Sequence, residues 1–243
     1  MRESDNSDFY SKDSVTYESS RFLTVPGRHD HERLMACLAE LATSLDLEDV
    51  VEVGVGTGRV TRILLDEGAE AIRCVDIAPG MLKVASEKTG SSRVRYIEGS
   101  AYRLPIESDD CTSLVCVNLL THLDYPDQFW SEVGRVLRSG GAALVTCTKV
   151  DSLFLPFGLV ANRRGSAFGQ DVHTVWHRRK AQLAAIAAAG GQLQSVTGHY
   201  YTPRALGGGF VGKLFHLLMR GFERLPSGLS GRLAPMDIYL VSF

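Results

Sequence analysis

Between residues 49 and 148, short apolar runs alternate with helical stretches. The apolar runs predict strands at Val50–Val53, Ala71–Val75, Val94–Ile97, Ser113–Val117 and Ala142–Thr148. The stretches between them predict helices at Val60–Glu67, Met81–Lys88 and Gln128–Leu137. Strands buried on both faces read as unbroken apolar runs, and parallel neighbours need helical crossovers. The pattern therefore predicts an α/β fold with a doubly wound, mostly parallel sheet.

The chain before this region has a different character. A helical pattern runs from Asp30 to Leu45, but the residues up to about Tyr17 show no hydrophobic period and are rich in Ser, Asp and Glu. Such a composition buries too little surface to order itself alone. We therefore expect residues 1–29 to form a flexible N-terminal arm or lid, followed by a single domain at residues 30–243.

After Thr148 the alternation breaks. A connection as long as Lys149–Trp176 is usually functional in a compact domain. A helix at His177–Ala189 and strands at Gln192–Tyr200 and Ile238–Phe243 would complete a seven-stranded, Rossmann-like sheet. We expect the segments at about 149–190 and 200–237 to form a helical cap.

One predicted helix of this cap, Phe210–Leu225, is amphipathic. We expect its apolar stripe to pack on the sheet, while a pocket wall and a membrane-facing surface remain alternatives. The stripe consists of Val211, Leu214, Phe215, Leu218, Phe222 and Leu225, opposite Lys213, His216, Arg220 and Glu223.

Composition narrows the possible classes of protein. The chain has 243 residues, is 44% hydrophobic and 22% charged, and carries a net charge of −2, as expected of a soluble globular protein without a positive field for nucleic acid. No run approaches the roughly 20 apolar residues of a transmembrane helix. The five cysteines lack Cys-x-x-Cys spacing, which favours reduced core residues in a cytoplasmic protein.

A glycine-rich loop is the most informative motif. The sequence Val51-Glu52-Val53-Gly54-Val55-Gly56-Thr57-Gly58 runs from a predicted strand into a helix start. Absent side chains let a ligand approach the backbone, and free N–H groups at a helix start favour negative charge. The loop therefore predicts a nucleotide or a related cofactor. Arg59 stands where the dinucleotide pattern requires its third glycine, which disfavours an NAD-dependent oxidoreductase.

Asp76 ends the next predicted strand, 20 residues beyond Gly56. A doubly wound sheet places a carboxylate at this point beside the ribose of a ligand held by the glycine loop. The carboxylate can accept two hydrogen bonds from a ribose diol, although a strand-end Asp can also simply start a turn.

From Asp49 to Thr148 the chain resembles the class I S-adenosylmethionine-dependent methyltransferases, particularly their small-molecule branch. The glycine loop resembles their first motif. Further matches, in order, are Cys74-Val75-Asp76-Ile77-Ala78-Pro79-Gly80-Met81-Leu82, Gly99-Ser100-Ala101-Tyr102-Arg103-Leu104-Pro105, Asn118-Leu119-Leu120-Thr121-His122-Leu123 and Arg135-Val136-Leu137-Arg138-Ser139-Gly140-Gly141.

The resemblance implies S-adenosyl-L-methionine as cofactor and assigns residues to it. Glu52, Gly54, Gly56 and Gly58 would contact its methionine part, Asp76 its ribose, Ile77 and Met81 the adenine faces, Ser100 and Ala101 the adenine amino edge, and Asn118 the cofactor after the fourth strand. Ser100 replaces the family's usual Asp, a neutral group for a charged one. Tyr17 and Arg21 lie where related enzymes fold an arm over the cofactor, and Arg21 is either a partner of the methionine carboxylate or a surface residue.

The implied reaction is methyl transfer to a hydroxyl, less readily to an amine or carbon, of a small-molecule metabolite. A hydroxyl acceptor needs a base, and His122 lies just past the fourth strand at the open edge of the sheet. His122 could instead only cap or pack against the next helix. His173, His177 and His199 are weaker candidates for the base.

The other groups of charged residues give weaker predictions of function. The run His29-Asp30-His31-Glu32 does not converge on one helix face, so we expect no metal site. Arg163-Arg164 and Arg178-Arg179-Lys180 either favour an anionic acceptor or form a solvated face. The alternative function is an S-adenosylmethionine-binding protein of the same fold that does not transfer a methyl group. The acceptor and the oligomeric state stay open at this stage.

Overall fold

The computed structural model describes residues 3–21, 24–164, 174–202 and 209–243. Its centre is a seven-stranded sheet of order β3-β2-β1-β4-β5-β7-β6, in which β7 runs antiparallel to both neighbours and the other pairs are parallel. The doubly wound, mostly parallel sheet expected from the sequence is confirmed. The strands are β1 (Asp49–Val53), β2 (Ala71–Asp76), β3 (Val94–Glu98), β4 (Cys111–Cys116), β5 (Leu137–Thr148), β6 (Gln192–His199) and β7 (Met236–Ser242).

Helices cover both faces of the sheet. They are α1 (Glu3–Asp13), α2 (Tyr17–Arg21), α3 (Val25–Ala42), α4 (Arg59–Asp66), α5 (Pro79–Thr89), α6 (Pro126–Val136), α7 (Leu155–Arg164), α8 (Arg179–Ala188), α9 (Phe210–Glu223) and α10 (Ser227–Leu233), with a short 3-10 helix at Leu120–His122. One apolar core contains Leu34 and Leu38 of α3, and the other contains Phe129 and Trp130 of α6. The Trp130 indole donates a 2.8 Å hydrogen bond to Gln182 of α8.

The N-terminal segment contains two helices, α1 and α2, where the sequence predicted no regular structure. Contacts with α5 compensate for the low hydrophobicity of α1. The next helix also begins earlier than predicted, at Val25 rather than Asp30, because the Thr24 hydroxyl accepts a hydrogen bond from Gly27 N and caps the helix. The lid role of the arm remains a prediction.

The cap packs differently from the expectation for its amphipathic helix. In α9, Val211, Leu214 and Leu218 are exposed, whereas His216 and Glu223 lie on the inward side. The prediction that the apolar stripe packs inward is therefore wrong for these three exposed residues. Met219, Phe215 and Phe222 do pack inward, in a small core with Phe154, Tyr200 and Ala234.

Polar contacts with distant segments hold α9 in this orientation. His216 Nδ1 lies 3.1 Å from Asp30 Oδ1 of α3, and Glu223 pairs with Arg33 of the same helix. Asp30 also accepts a 2.6 Å hydrogen bond from Thr202 N. The donor atoms of His29, Asp30 and His216 lie within 4.8 Å of one another, which a local reading of the spacing around residue 30 could not reveal. The hydrogen bonds account for the closeness of Asp30 and His216, and the absence of a metal remains a prediction.

A buried charge network joins the cap to the sheet. Asp237 of β7 accepts hydrogen bonds from Lys149 (2.9 Å), from Arg179 Nε (2.7 Å) and from the Tyr239 hydroxyl (2.9 Å). Buried charges require partners of this kind. Arg179 belongs to the cluster for which the sequence left an anionic acceptor or a solvated face open, and it is bound to Asp237.

All five cysteines are free thiols, and only Cys37 among them is not buried. The prediction of core residues is thus confirmed for the four buried cysteines. Among the helices in the described part of the chain, none combines the length and hydropathy needed to cross a bilayer.

Candidate active site

A cleft opens at the carboxyl ends of β1, β2 and β4. In a doubly wound sheet this edge is where ligands bind, because the loops after neighbouring parallel strands meet there. Most residues that the sequence assigned to the site line this one cleft: Tyr17, Glu52, Gly54, Gly56, Asp76, Ile77, Met81, Ala101, Asn118 and His122.

The glycine loop follows β1 at the floor of the cleft. Gly54 donates a 2.7 Å hydrogen bond to Val75 O, which ties the loop to β2. Gly56 has a φ of +53° and no protein atom within 4 Å of the position a Cβ would take, so its backbone is open to a ligand. Gly58 is not at the cleft. It precedes α4 with a φ of +80° and packs against Ala85 of α5, so the packing of two helices accounts for this glycine.

Asp76 connects the end of β2 to the glycine loop. Its Oδ2 accepts a 3.0 Å hydrogen bond from Gly56 N, and its Oδ1 accepts a 2.9 Å bond from Ala78 N. Burial raises the pKa of Asp76, and the backbone N–H groups of Gly56 and Ala78 oppose that shift. The loop therefore holds the carboxylate with both oxygens oriented, as recognition of a diol requires.

Glu52 lies beneath the loop and is almost fully buried. Its Oε2 accepts a 2.6 Å hydrogen bond from the Thr61 hydroxyl. Burial raises the pKa of Glu52 to about 7, against the opposing effect of the hydrogen bonds from Thr61 and Cys74. A buried carboxylate of this kind is stabilised when it takes up a proton or when a cation binds beside it. Ionisable groups with shifted pKa values are concentrated at binding sites.

The side of the cleft assigned to adenine is apolar. Ile77, buried Met81 and buried Ala101 line it together. Ser100 is not among the lining residues, and its hydroxyl accepts a 3.1 Å hydrogen bond from Tyr102 N. Ala101 thus lines the cleft and Ser100 does not, and the contacts of both residues with the cofactor remain predictions.

Asn118 follows β4 with a φ of +59°, a left-handed conformation that Asn tolerates better than most residues. Its N–H donates a 2.7 Å hydrogen bond to the Thr146 hydroxyl of β5. This turn directs the chain into the short 3-10 helix that ends at His122.

Helix α1 closes one side of the cleft. The Ser7 hydroxyl donates a 2.8 Å hydrogen bond to Ile77 O, and Gly80 N donates a 3.3 Å bond to the Ser11 hydroxyl. The backbones approach so closely that a Cβ on Gly80 would lie 2.5 Å from Ser11 O. Residues of α1 therefore reach the cleft from the segment that the sequence predicted to be a flexible arm or lid.

His122 and Tyr10 meet inside the cleft. The Tyr10 hydroxyl lies 2.8 Å from His122 Nε2, and both side chains line the cleft together with Asn6. The Asn6 Oδ1 atom is buried and makes no hydrogen bond within the described structure. Sequence reasoning missed Asn6 and Tyr10, because α1 has no hydrophobic period that would have indicated a helix.

A second contact anchors the arm at the glycine loop. Glu18 of α2 accepts a 2.6 Å hydrogen bond from the Thr57 hydroxyl and pairs with Lys88 at 2.7 Å. Tyr17 lines the cleft, and the Arg59 guanidinium lies 5.5 Å from its ring centroid. The side chain of Arg21 lies outside the described residues.

The other candidate bases lie elsewhere. His177 is buried, and its Nε2 donates a 3.0 Å hydrogen bond to Leu120 O, so it supports the 3-10 helix of His122. Burial lowers the pKa of His177. Burial and the nearby Arg33 charge lower the pKa of His199 to about 4. Neither lines the cleft, and His173 lies outside the described residues.

The cleft fits the cofactor that the resemblance implied. An open glycine backbone, an oriented carboxylate 20 residues further on and an apolar wall next to it match the methionine, ribose and adenine parts in turn. Residues 51–145 match a protein-family model described as a methyltransferase domain. This part of the chain is therefore a methyltransferase domain. S-adenosylmethionine is the cofactor that the motifs of this domain imply, and it is bound in one solved structure of the same fold.

Three comparisons illustrate the range of proteins similar to this methyltransferase domain. A malonyl-acyl-carrier-protein O-methyltransferase from Paenibacillus sp. (strain JDR-2) is 31% identical over 135 residues, 48% of this chain and 47% of that protein. A geranyl diphosphate methyltransferase in complex with S-adenosylmethionine superposes with a TM-score of 0.59 at 16% identity, covering 87% of this chain and 85% of that one. A 4+2 cyclase, SpnF, superposes with a TM-score of 0.59 at 19% identity, covering 86% of this chain and 79% of that one. The chain thus matches less than half the length of this curated relative, and the two structures support the fold.

Proposed function

We propose that this protein transfers a methyl group from S-adenosylmethionine to a hydroxyl group of a small-molecule metabolite. The observation that carries the proposal is the 2.8 Å contact between His122 Nε2 and the Tyr10 hydroxyl, in the cleft that also holds Gly56 and Asp76. It means that an O–H group fits within hydrogen-bonding distance of a histidine beside the cofactor loop. Such a pair meets the geometric requirement for a general base.

The residues divide the work between binding and proton transfer. When bound, the cofactor supplies a methyl group that its positively charged sulfur already activates. The glycine loop and Asp76 hold its position, and α1 shields the cleft from water. The acceptor hydroxyl takes the place of the Tyr10 hydroxyl at His122 Nε2. His122 accepts the proton as the new oxygen–carbon bond forms and the carbon–sulfur bond breaks.

The name of the Paenibacillus relative supports oxygen as the methylated atom, since that protein is an O-methyltransferase. The free cysteines support a cytoplasmic location. A second candidate function is binding of the same cofactor without methyl transfer. The similarity to a cyclase favours it, because its name describes another reaction on this fold.

Incubation with methyl-labelled S-adenosylmethionine and a metabolite extract distinguishes the two functions. We expect a labelled product that survives amine-selective extraction and is lost when Gly56 is replaced by Val. Tight cofactor binding without labelled product in extracts from several sources would contradict methyl transfer and support the second function. Label recovered only on an amine would contradict the hydroxyl acceptor.

A further inference from the structure

Helix α9 exposes an unusually apolar surface. The side chains of Phe210, Val211, Leu214, Leu217 and Leu218 are between 54% and 81% exposed. Single exposed apolar residues need no explanation, but a continuous group on one helix marks a contact surface.

The orientation of α9 is fixed by its polar side chains. His216 pairs with Asp30 at 3.1 Å, Glu223 pairs with Arg33, and both partners belong to α3. Met219 is buried on the same inward side. The helix thus turns His216 and Glu223 toward the protein together with Met219, and leaves its leucines exposed to solvent. The exposed face is consequently a specified feature of the cap.

Helix α7 extends this apolar surface. Its Leu155 and Leu159 are 40% and 45% exposed. The Phe154 ring, one residue before α7, lies 5.6 Å from the Phe215 ring of α9. We call the exposed apolar and basic residues of α7 and α9 the cap face.

The charges on the cap face are positive. Lys213 and Arg220 of α9 and Arg163 and Arg164 at the end of α7 are exposed. Helix α7 contains no acidic residue, and the one acidic residue of α9, Glu223, is paired with Arg33. Because the whole chain carries a net charge of −2, this excess of positive charge is local.

We infer that the cap face docks on the surface of an anionic lipid bilayer. An apolar helix face bordered by Lys and Arg is the combination that binds in the interfacial plane of such a membrane. The described helices are not suited to cross the bilayer, so the cap face lies on it. A symmetric pair of cap faces would bring like charges together, which disfavours a second copy as the occupant. The inference goes beyond the proposed function and does not depend on it.

Vesicle co-sedimentation tests the docking. We expect the full chain to sediment with vesicles of phosphatidylglycerol and phosphatidylcholine, to bind pure phosphatidylcholine much less, and to be partly released by salt. The double substitution Leu214→Ser and Leu217→Ser should reduce partitioning by at least about 30-fold, because two exposed leucines lose their insertion into lipid. Lys213→Glu should reduce it by about tenfold.

Matched controls make the result specific to the cap face. Leu193→Ser removes an exposed leucine from β6, and Lys180→Glu reverses an exposed charge on α8, and neither should change partitioning. Binding of S-adenosylhomocysteine, measured on every variant, verifies folding separately from docking. Failure to bind anionic vesicles, or equal losses in the controls, would overturn the inference. The inference would also be overturned if light scattering detected a dimer of the wild-type protein that the double substitution dissociates.

Discussion

The cofactor half of the domain, residues 49–148, and the cap, residues 149–237, follow different rules. In the first, short sequence motifs mark the residues that line the cleft: a strand end, a glycine with positive φ and a carboxylate in a turn. In the cap, the exposed face of α9 depends on Asp30 and Arg33, nearly two hundred residues away. Local patterns therefore predict the binding loop, whereas long-range ion pairs decide which face of a cap helix meets solvent.

The largest expected effect is in the cofactor half. Gly56→Val places a branched side chain in the open floor of the cleft, and we expect cofactor affinity to fall by more than about 100-fold in a calorimetric titration. Gly90→Val is the matched control, because Gly90 has a φ of +57° and equally open surroundings but does not line the cleft. Both variants should lose about 1–2 kcal/mol of stability from left-handed strain. Equal cofactor affinities would contradict the assignment of the loop.

Asp76→Ala should weaken cofactor binding by roughly 10- to 100-fold, since hydrogen bonds to a charged acceptor contribute about 1.5–3 kcal/mol. Asp76→Asn keeps an acceptor oxygen but loses the charge. Its affinity for the cofactor should lie between those of the Ala variant and the wild type. The same titration measures both. A dissociation constant unchanged in the Ala variant would exclude Asp76 as the ribose ligand.

A substitution that removes the contacts of the cap with α3 should lower the stability of the protein without changing its affinity for the cofactor. Asp30→Ala leaves Thr202 N and His216 without their buried acceptor, so we expect the free energy of unfolding to fall by about 2–3 kcal/mol. Thermal unfolding should show a midpoint lower by about 5–10 °C. The exposed Asp66→Ala is the control. If Asp30→Ala lowered cofactor affinity as much as Asp76→Ala does, the two regions would not be separable.

The difference between the cofactor half and the cap explains which features the sequence could predict. Period and motif spacing were sufficient to predict the sheet and to bring Gly56, Asp76 and His122 to one cleft. They do not separate these residues from Gly58, because a glycine that packs against Ala85 has the same sequence signal as one that faces a ligand. They also failed for α1, whose stability depends on contacts with α5 rather than on its own composition.

The smallest expected effect concerns Tyr10. If the acceptor hydroxyl replaces the Tyr10 hydroxyl at His122, Tyr10→Phe should keep the turnover rate within about threefold of wild type and weaken cofactor binding only slightly, because one neutral hydrogen bond contributes about 1 kcal/mol. Steady-state kinetics with the acceptor found in the extract assay measure this. A loss of 100-fold or more would instead make Tyr10 a proton relay between acceptor and histidine.

The proposed methyl transfer depends most directly on His122. A single-turnover experiment with methyl-labelled cofactor would compare wild type and His122→Asn, which keeps a polar side chain but removes the base. We expect the rate of methyl transfer to fall by at least about 100-fold, since positioned bases contribute about 10²–10⁴-fold, with the cofactor dissociation constant unchanged within twofold. An unchanged rate, or a rate and an affinity that fall together, would contradict the role of His122 as the general base.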